Sequence, residues 1–228
     1  ARWHDAGKAH PEFQATLRRA GQPPAEGVIW AKAGGGPVRH RRPHFRHELA
    51  SALALLLARP PLAPHLLDLA AFLVASHHGR VRLAIRSLPG EHVPDSGRRY
   101  ALGVWEGDPL LPADLGDGVA LPDGLRLTNL WLMDLGCPAG GDRPWLERTL
   151  GLRDDPTLGP FRLGYLEACL RAADARASAG AASGNSGASA SAPAGSEVAA
   201  HASAAAGAQP GAGAHTSATG GGEVTPHA

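Results

Sequence analysis

The sequence lacks an excess of charge of either sign and has few aromatic residues. Over 228 residues, 22 Lys and Arg stand against 21 Asp and Glu, which gives a formal net charge of +1. This balance excludes a histone-like or polybasic protein whose overall charge would itself indicate nucleic-acid binding. Aromatic residues make up 5%, against 30 Gly and 20 Pro, so a core forms only if these residues are unevenly distributed.

Cysteines and long apolar stretches are also scarce. Cys137 and Cys169 lie far apart without a CxxC partner, which excludes a zinc knuckle or a disulfide framework and favours a reduced, cytoplasmic protein. The longest apolar run, residues 49–58, has about half the length of a membrane span. The first residues have no apolar core of the signal-peptide type. We therefore expect no membrane partner.

The composition divides the chain in two. Residues 179–228 are almost entirely Ala, Gly, Ser, Pro and Thr, without Leu, Ile, aromatic residues, Lys or Arg. Such a segment buries too little apolar surface to offset the entropy of ordering it, so we predict a disordered C-terminal tail. Residues 1–178 hold all 22 basic residues against 19 acidic ones, a net charge of +3. We predict one domain there.

Apolar periodicity and helix punctuation predict an all-α, mainly helical fold with irregular loops. Residues 21–43 form a Pro- and Gly-rich loop, and residues 81–88 are compatible with one short strand. The predicted longer helices cover residues 11–19, 46–58, 63–78 and 160–178. Shorter helical segments are predicted at 1–8, 125–135 and 144–150.

Histidines and aspartates cluster at the ends of the predicted helices, beside apolar faces where an imidazole or carboxylate is costly without a partner. Taken singly, each is more simply a hydrogen-bonded structural histidine or a surface aspartate. Their ordered combination on four predicted helices is much harder to explain by chance. The residues concerned are His4, Asp5, Lys8, His47, His77, His78 and Asp174.

The segments HDAGK (4–8), RHE (46–48), HHG (77–79) and Ala173-Asp174 resemble the HD superfamily of metal-dependent phosphohydrolases. The nearest likeness is to the HD nuclease domain of the type I CRISPR-associated helicase/nuclease, and it extends over about residues 3–178. That family usually has a further metal-binding histidine upstream of the His-Asp pair. We therefore expect residues 1–178 to be an HD domain that is incomplete at its N-terminus.

The resemblance implies two divalent transition-metal ions. Asp5 would bridge them, His4 and Asp174 would hold one together with the upstream histidine, and His47, His77 and His78 would hold the other. So many imidazoles favour Mn, Fe, Co or Ni, with Mg possible. Lys8 lies three residues after Asp5 and would hold the scissile phosphate or stabilise the leaving oxygen; the alternative is a solvated surface lysine.

Arginines flank the proposed ligands in the sequence. Arg42 and Arg46 precede His47, and Arg80 and Arg82 follow His78, so these four could line a groove for a DNA backbone. The alternative is an ordinary solvated loop face. Trp30 and Trp105 could stack on bases, but core packing or loop anchoring is the favoured interpretation.

By resemblance, the domain is a metal-dependent single-stranded DNA nuclease acting in CRISPR antiviral defence. Its partners would be a DExD/H-box helicase, on the same chain or another, and a CRISPR effector complex. Neither a GxxxxGK[ST] loop nor a DExD/H box occurs in these residues. Two alternatives stay open: an HD phosphohydrolase acting on nucleotides or cyclic nucleotides, and a non-catalytic, degenerate HD module in an effector complex.

Overall fold

The computed structural model describes residues 2–21, 29–31, 39–136 and 142–184. Contacts divide the chain into Ala1–Gly187 and Ala188–Ala228, and all the described residues lie in the first unit. The predicted loop is described only in part, and Cys137 and residues 185–228 lie outside the described residues. The domain boundary and the disordered tail therefore stay predictions.

The helices agree with the predicted order. The first segment is a 3₁₀ helix rather than the end of an α-helix, and it runs from Arg2 to Ala9. The last helix extends past residue 178 and includes the first six residues of the predicted tail. The α-helices are α1 (Pro11–Ala20), α2 (His47–Ala58), α3 (Pro64–Ser76), α4 (Trp145–Asp154) and α5 (Gly159–Gly184).

The fold is broadly helical, as predicted, but it also contains small sheets and is not clearly all-α. Strands β1 (Tyr100–Ala101) and β2 (Val104–Trp105) form one antiparallel hairpin, and β3 (Ala113–Gly116) and β4 (Val119–Leu121) form another. Both turn residues of each hairpin have positive φ, at Leu102-Gly103 and Asp117-Gly118. This conformation matches the twist of the flanking strands.

Two further secondary-structure predictions are wrong. Residues 81–88 bend at Arg82 and Leu83 and form no strand; Val81 and Ile85 are buried there without a pairing partner in the described parts of the chain. Within 125–135, only Leu130–Met133 is helical, as a short 3₁₀ helix. Apolar residues in these segments pack into the core without needing regular backbone structure, so hydrophobicity alone misleads there.

Helix α2 lies at the centre of the core. Its residues 48–56 are all buried, so it is covered on every side. The N-terminal 3₁₀ helix packs very closely against its start, because Gly7 donates its N–H to Ser51 Oγ at 2.7 Å. A Cβ atom at position 7 would overlap the carbonyl oxygen of His47. This contact, which only glycine permits, brings the His4-Asp5 pair beside His47.

A buried ion cluster and a small apolar cluster join α3, α4 and α5. Asp68, 4% exposed, accepts hydrogen bonds from Arg143 and Arg148. Phe72, Leu152 and Leu163 form the apolar cluster. Together they hold α5 against α3, which places Asp174 near the C-terminal end of α3, where His77 and His78 lie.

Candidate metal centre

His77, just after the last residue of α3, has the environment of a metal ligand. Its side chain is 2% exposed, and its Nδ1 lies 2.6 Å from the carbonyl oxygen of Val74. Since a carbonyl only accepts, Nδ1 carries the proton and Nε2 presents a lone pair. Among the described residues, that buried Nε2 has no hydrogen-bond partner. An oriented, unpartnered imidazole nitrogen is what a metal-binding histidine provides.

The protonation state of His77 supports this assignment. Burial, and then the neighbouring imidazoles, lower the pKa of His77 to about 4, against the opposing effect of the Val74 hydrogen bond. Burial and His47 likewise lower the pKa of His78. Both rings are therefore neutral at pH 7, which is the form that binds metal.

His47, His77 and His78 form a group that we call the imidazole group. Their ligand nitrogens lie within 4.8 Å of one another, and the Nε2 atoms of His47 and His78 are 3.2 Å apart. Bonds from imidazole nitrogen to a first-row ion are about 2.1 Å long, so separations of this size suit two ligands of one ion. The donor set fits Mn, Fe, Co or Ni.

His4, Asp5 and Asp174 form a second, half-buried group, which we call the mixed group. Their ligand atoms also lie within 4.8 Å of one another. His4 Nε2 is 3.3 Å from Asp174 Oδ1 and 3.4 Å from Asp5 Oδ2. One imidazole and two carboxylates are a harder donor set, which also admits the oxygen-preferring Mg²⁺.

Asp5 belongs to the mixed group and also faces the imidazole group. Its Oδ1 is 3.4 Å from His47 Nε2, and its Oδ2 faces His4 and accepts a 2.7 Å hydrogen bond from Lys8 Nζ. Burial acts to raise the pKa of Asp5, but His47, Lys8 and His4 together lower it well below its usual range. An ionised carboxylate with one oxygen toward each group is suited to bridge two ions.

The six predicted ligands thus fall into the two predicted groups, with Lys8 beside the shared carboxylate. Metal binding by these residues and the catalytic role of Lys8 stay predictions. The donor chemistry and the unpartnered Nε2 of His77 fit divalent metal ions.

A basic cleft of about 840 Å³ opens beside the imidazole group. Its wall includes His47 and His78 together with four arginines, so the cleft leads directly to proposed ligands. Three of the four predicted DNA-binding residues line it. The four arginines are Arg39, Arg42, Arg46 and Arg80.

Arg82 and Arg42 have partners within the protein. Arg82 lies outside this cleft. Its guanidinium forms an ion pair with Glu167 at 2.8 Å, and its backbone carbonyl accepts a hydrogen bond from Trp145 Nε1. Arg42 forms an ion pair with Asp108 and stacks on Trp105, with its guanidinium carbon 3.8 Å from the ring centroid. Trp105 therefore anchors the cleft wall, as the favoured interpretation expected.

Sequence reasoning missed the buried residues that support the cleft. Asp108 accepts hydrogen bonds from Arg42 and, at 2.8 Å, from the backbone of Trp105, and it lies 3.0 Å from His10 Nε2. His10 Nδ1 accepts from Glu12 N–H, so its Nε2 carries the proton donated to Asp108. No local signal links residues 98 positions apart. Burial acts to raise the pKa of Asp108, but His10 and Arg42 lower it overall.

Glu48 is the other missed residue. It directly follows His47, is 1% exposed and lines the basic cleft. The sequence marks Glu48 only as part of the RHE triplet. An acidic residue in the first turn of a helix is common, so the triplet does not by itself indicate a role at the site.

The domain is mainly helical, and its His4-Asp5 pair lies in one of two adjacent groups of candidate metal ligands. This combination is typical of HD-type hydrolases. Residues 1–105, slightly less than half of the chain, match the family described as "Cas3, HD domain", so this part of the chain is similar to the HD domains of that family. The resemblance to a CRISPR HD-type nuclease is thereby confirmed. The match includes every predicted ligand except Asp174, whose place in the site rests on the structure.

A search of curated proteins and a search of solved structures gave no match. Among the described residues, no helix is long and apolar enough to cross a membrane.

Proposed function

We propose that this domain hydrolyses phosphodiester bonds of single-stranded DNA in CRISPR antiviral defence, using two divalent ions. The observation that carries the proposal is the shared carboxylate: Asp5 faces both ligand groups, and the imidazole group opens into the arginine-lined cleft. By family likeness, the proposal includes a cytoplasmic location, a DExD/H-box helicase on the same chain or another, and a CRISPR effector complex.

Divalent ions held here would supply hydroxide near neutral pH and neutralise phosphate charge. In the hydrolysis, the oxygen of water bonds to phosphorus and one P–O ester bond breaks, which leaves a phosphomonoester and a hydroxyl that takes up a proton. His47, His77 and His78 are fixed by helix ends and would bind in their neutral forms. Asp5 would hold both ions through its two oxygens.

Lys8 is placed to act on the substrate. Its ammonium is 2.7 Å from Asp5 Oδ2, and Lys8 and Asp5 together line a second opening in the surface. From there it would hold a phosphate oxygen or stabilise the leaving oxygen as negative charge develops.

The cleft would hold the strand by its backbone. Arg39 and Arg80 are exposed and Arg46 is half-buried, so their charges are available to phosphates. Contacts of this kind are independent of sequence and weaken with salt. The partly exposed cleft suits an unpaired strand that can bend toward His47 and His78.

The test is cleavage of single-stranded circular DNA with Mn²⁺ or Ni²⁺, with metal binding measured in parallel by calorimetry. We expect cleavage that EDTA stops and that Asp5→Ala abolishes. Asp95→Ala, which removes an exposed aspartate away from both ligand groups, is the matched control and should keep full activity. Cleavage retained by Asp5→Ala would exclude this site. Phosphate release from free nucleotides with intact DNA would instead establish a nucleotide phosphohydrolase, and absence of bound metal would establish the non-catalytic module.

A further inference from the structure

One buried carboxylate beside the proposed ligands has no role in the ligand groups. Glu48 is 1% exposed, and its Oε1 has no hydrogen-bond partner among the residues that the structure describes. The nearest arginine nitrogen, Arg46 Nε, is 3.9 Å from that oxygen. A buried carboxylate oxygen without a close partner is costly, so a cation bound nearby would stabilise it.

Glu48 faces the nitrogen of His47 that points away from the proposed ion. His47 Nε2 lies toward Asp5 and His78, whereas its Nδ1 lies 3.7 Å from Glu48 Oε2. Metal-binding histidines commonly donate their second ring N–H to a carboxylate or carbonyl, which sets the tautomer and the ring orientation. The Val74 carbonyl does this for His77. Beside His47, Glu48 takes the position that the Val74 carbonyl has beside His77.

We propose that Glu48 is a positioning residue for the metal centre, an inference that rests on the proposed function. Its carboxylate keeps the proton of His47 on Nδ1, so that the lone pair of Nε2 faces the imidazole group. Its negative charge also offsets that of the bound cation. The 3.7 Å separation exceeds a hydrogen bond, so a small rotation of the carboxylate completes the contact.

The competing explanation is local. Glu48 is the second residue of α2, where the helix dipole favours an acidic side chain. On that account, neutralising Glu48 lowers the stability of the apo protein and leaves both metal affinity and the His47 tautomer unchanged.

The test is Glu48→Gln in the full chain, which removes the charge and keeps the shape. Mn²⁺ binding is measured by calorimetry, and the His47 tautomer is measured by ¹⁵N NMR of the imidazole. We expect Mn²⁺ to bind about 10- to 100-fold more weakly, as for other outer contacts of metal ligands. Glu167→Gln is the matched control, because Glu167 is also buried but pairs with Arg82 instead of a ligand. It should leave Mn²⁺ affinity unchanged.

Unchanged Mn²⁺ affinity in Glu48→Gln would overturn the inference while leaving the metal centre intact. Absence of Mn²⁺ binding in the unmodified chain would overturn the proposed function itself. If Glu48→Gln fails to fold, Glu48→Asp replaces it, because the shorter side chain keeps the charge and draws it away from His47. Unchanged Mn²⁺ affinity in that variant overturns the inference.

Discussion

The imidazole group and the mixed group differ in burial, in donor chemistry and in how the chain builds them. The imidazole group uses histidine nitrogens at the start of α2 and the end of α3, with His77 almost fully buried and oriented by Val74. The mixed group is half-buried and depends on Asp174, which α5 brings from far along the chain. In the first group two ligands are adjacent in sequence and one of them is held by its own helix, whereas the second group depends on how a separate helix packs.

This difference predicts unequal metal affinities. In the imidazole group, His77 is buried and already oriented by Val74, while His47 is half-buried and His78 exposed. Because the ring of His77 loses little conformational freedom when an ion binds, we expect this group to bind an ion more tightly. The mixed group should bind more weakly and exchange its ion more readily.

The largest effect should come from His77→Ala. It removes the buried ligand of the imidazole group, so we expect Mn²⁺ affinity at the tighter site to fall by more than about 100-fold, because loss of an outer contact alone costs 10- to 100-fold. Calorimetric titration checks this, with circular dichroism to confirm folding. His65→Ala, an exposed histidine on α3, should bind as the unmodified chain does. Equal loss in both variants would contradict the assignment of His77.

Asp174→Asn should have a smaller effect, confined to the weaker site. The amide keeps one oxygen but loses the charge, so we expect about a 10-fold loss of affinity there, comparable with one outer contact, and none at the imidazole group. A calorimetric titration with Mn²⁺ that resolves two binding steps separates the two sites. The control is Asp154→Asn, an exposed aspartate at the end of α4. Loss at the imidazole group instead would show that the two groups act as one unit.

Arg80→Ala should weaken DNA binding without affecting either ion. Arg80 is exposed in the cleft beside His78, so we expect the salt dependence of binding to single-stranded DNA to decrease by about 0.7 in log–log slope, corresponding to one phosphate contact. Fluorescence anisotropy over a range of salt concentrations measures it. Arg82→Ala, whose guanidinium pairs with Glu167, is the matched control. An equal change in slope in both variants would contradict the prediction that Arg80 contacts a phosphate and Arg82 does not.

Asp108→Asn should have the smallest effect on the ions, because Asp108 supports the cleft without contacting a ligand. It breaks a buried pairing with Arg42 and His10, so we expect the free energy of unfolding at pH 7 to fall by about 3 kcal/mol. Urea denaturation measures this loss.

The same substitution tests a pH dependence. Because the pKa of Asp108 is lowered in the folded state, its contribution is present above the unfolded pKa of about 3.9 and is lost as the pH falls below it. The difference between the two proteins should therefore shrink in acid. A constant difference between pH 7 and pH 3 would show that Asp108 acts through packing alone.

Much of the candidate site could be predicted because its ligands are adjacent in sequence and lie at helix ends. His4-Asp5 and His77-His78 each place two ligands at one point of the backbone, so their convergence needs little tertiary information. The Asp117-Gly118 turn was also available as a hairpin signal and was missed. Glu48 and Asp108 could not be predicted, because their roles depend on burial and on contacts that the sequence does not pair.

The sequence by itself determined the candidate ligands, the order of the helices and the family resemblance of residues 1–105, since these depend on local motifs and apolar periodicity. Only the tertiary structure decided that Asp5 faces both groups, that Arg42 and Arg82 have partners within the protein, and that Glu48 is buried beside His47. The physical reason is that distance and burial depend on how separate elements pack. Gly7 illustrates the link: one missing Cβ lets the N-terminal 3₁₀ helix approach α2 and brings the two halves of the site together.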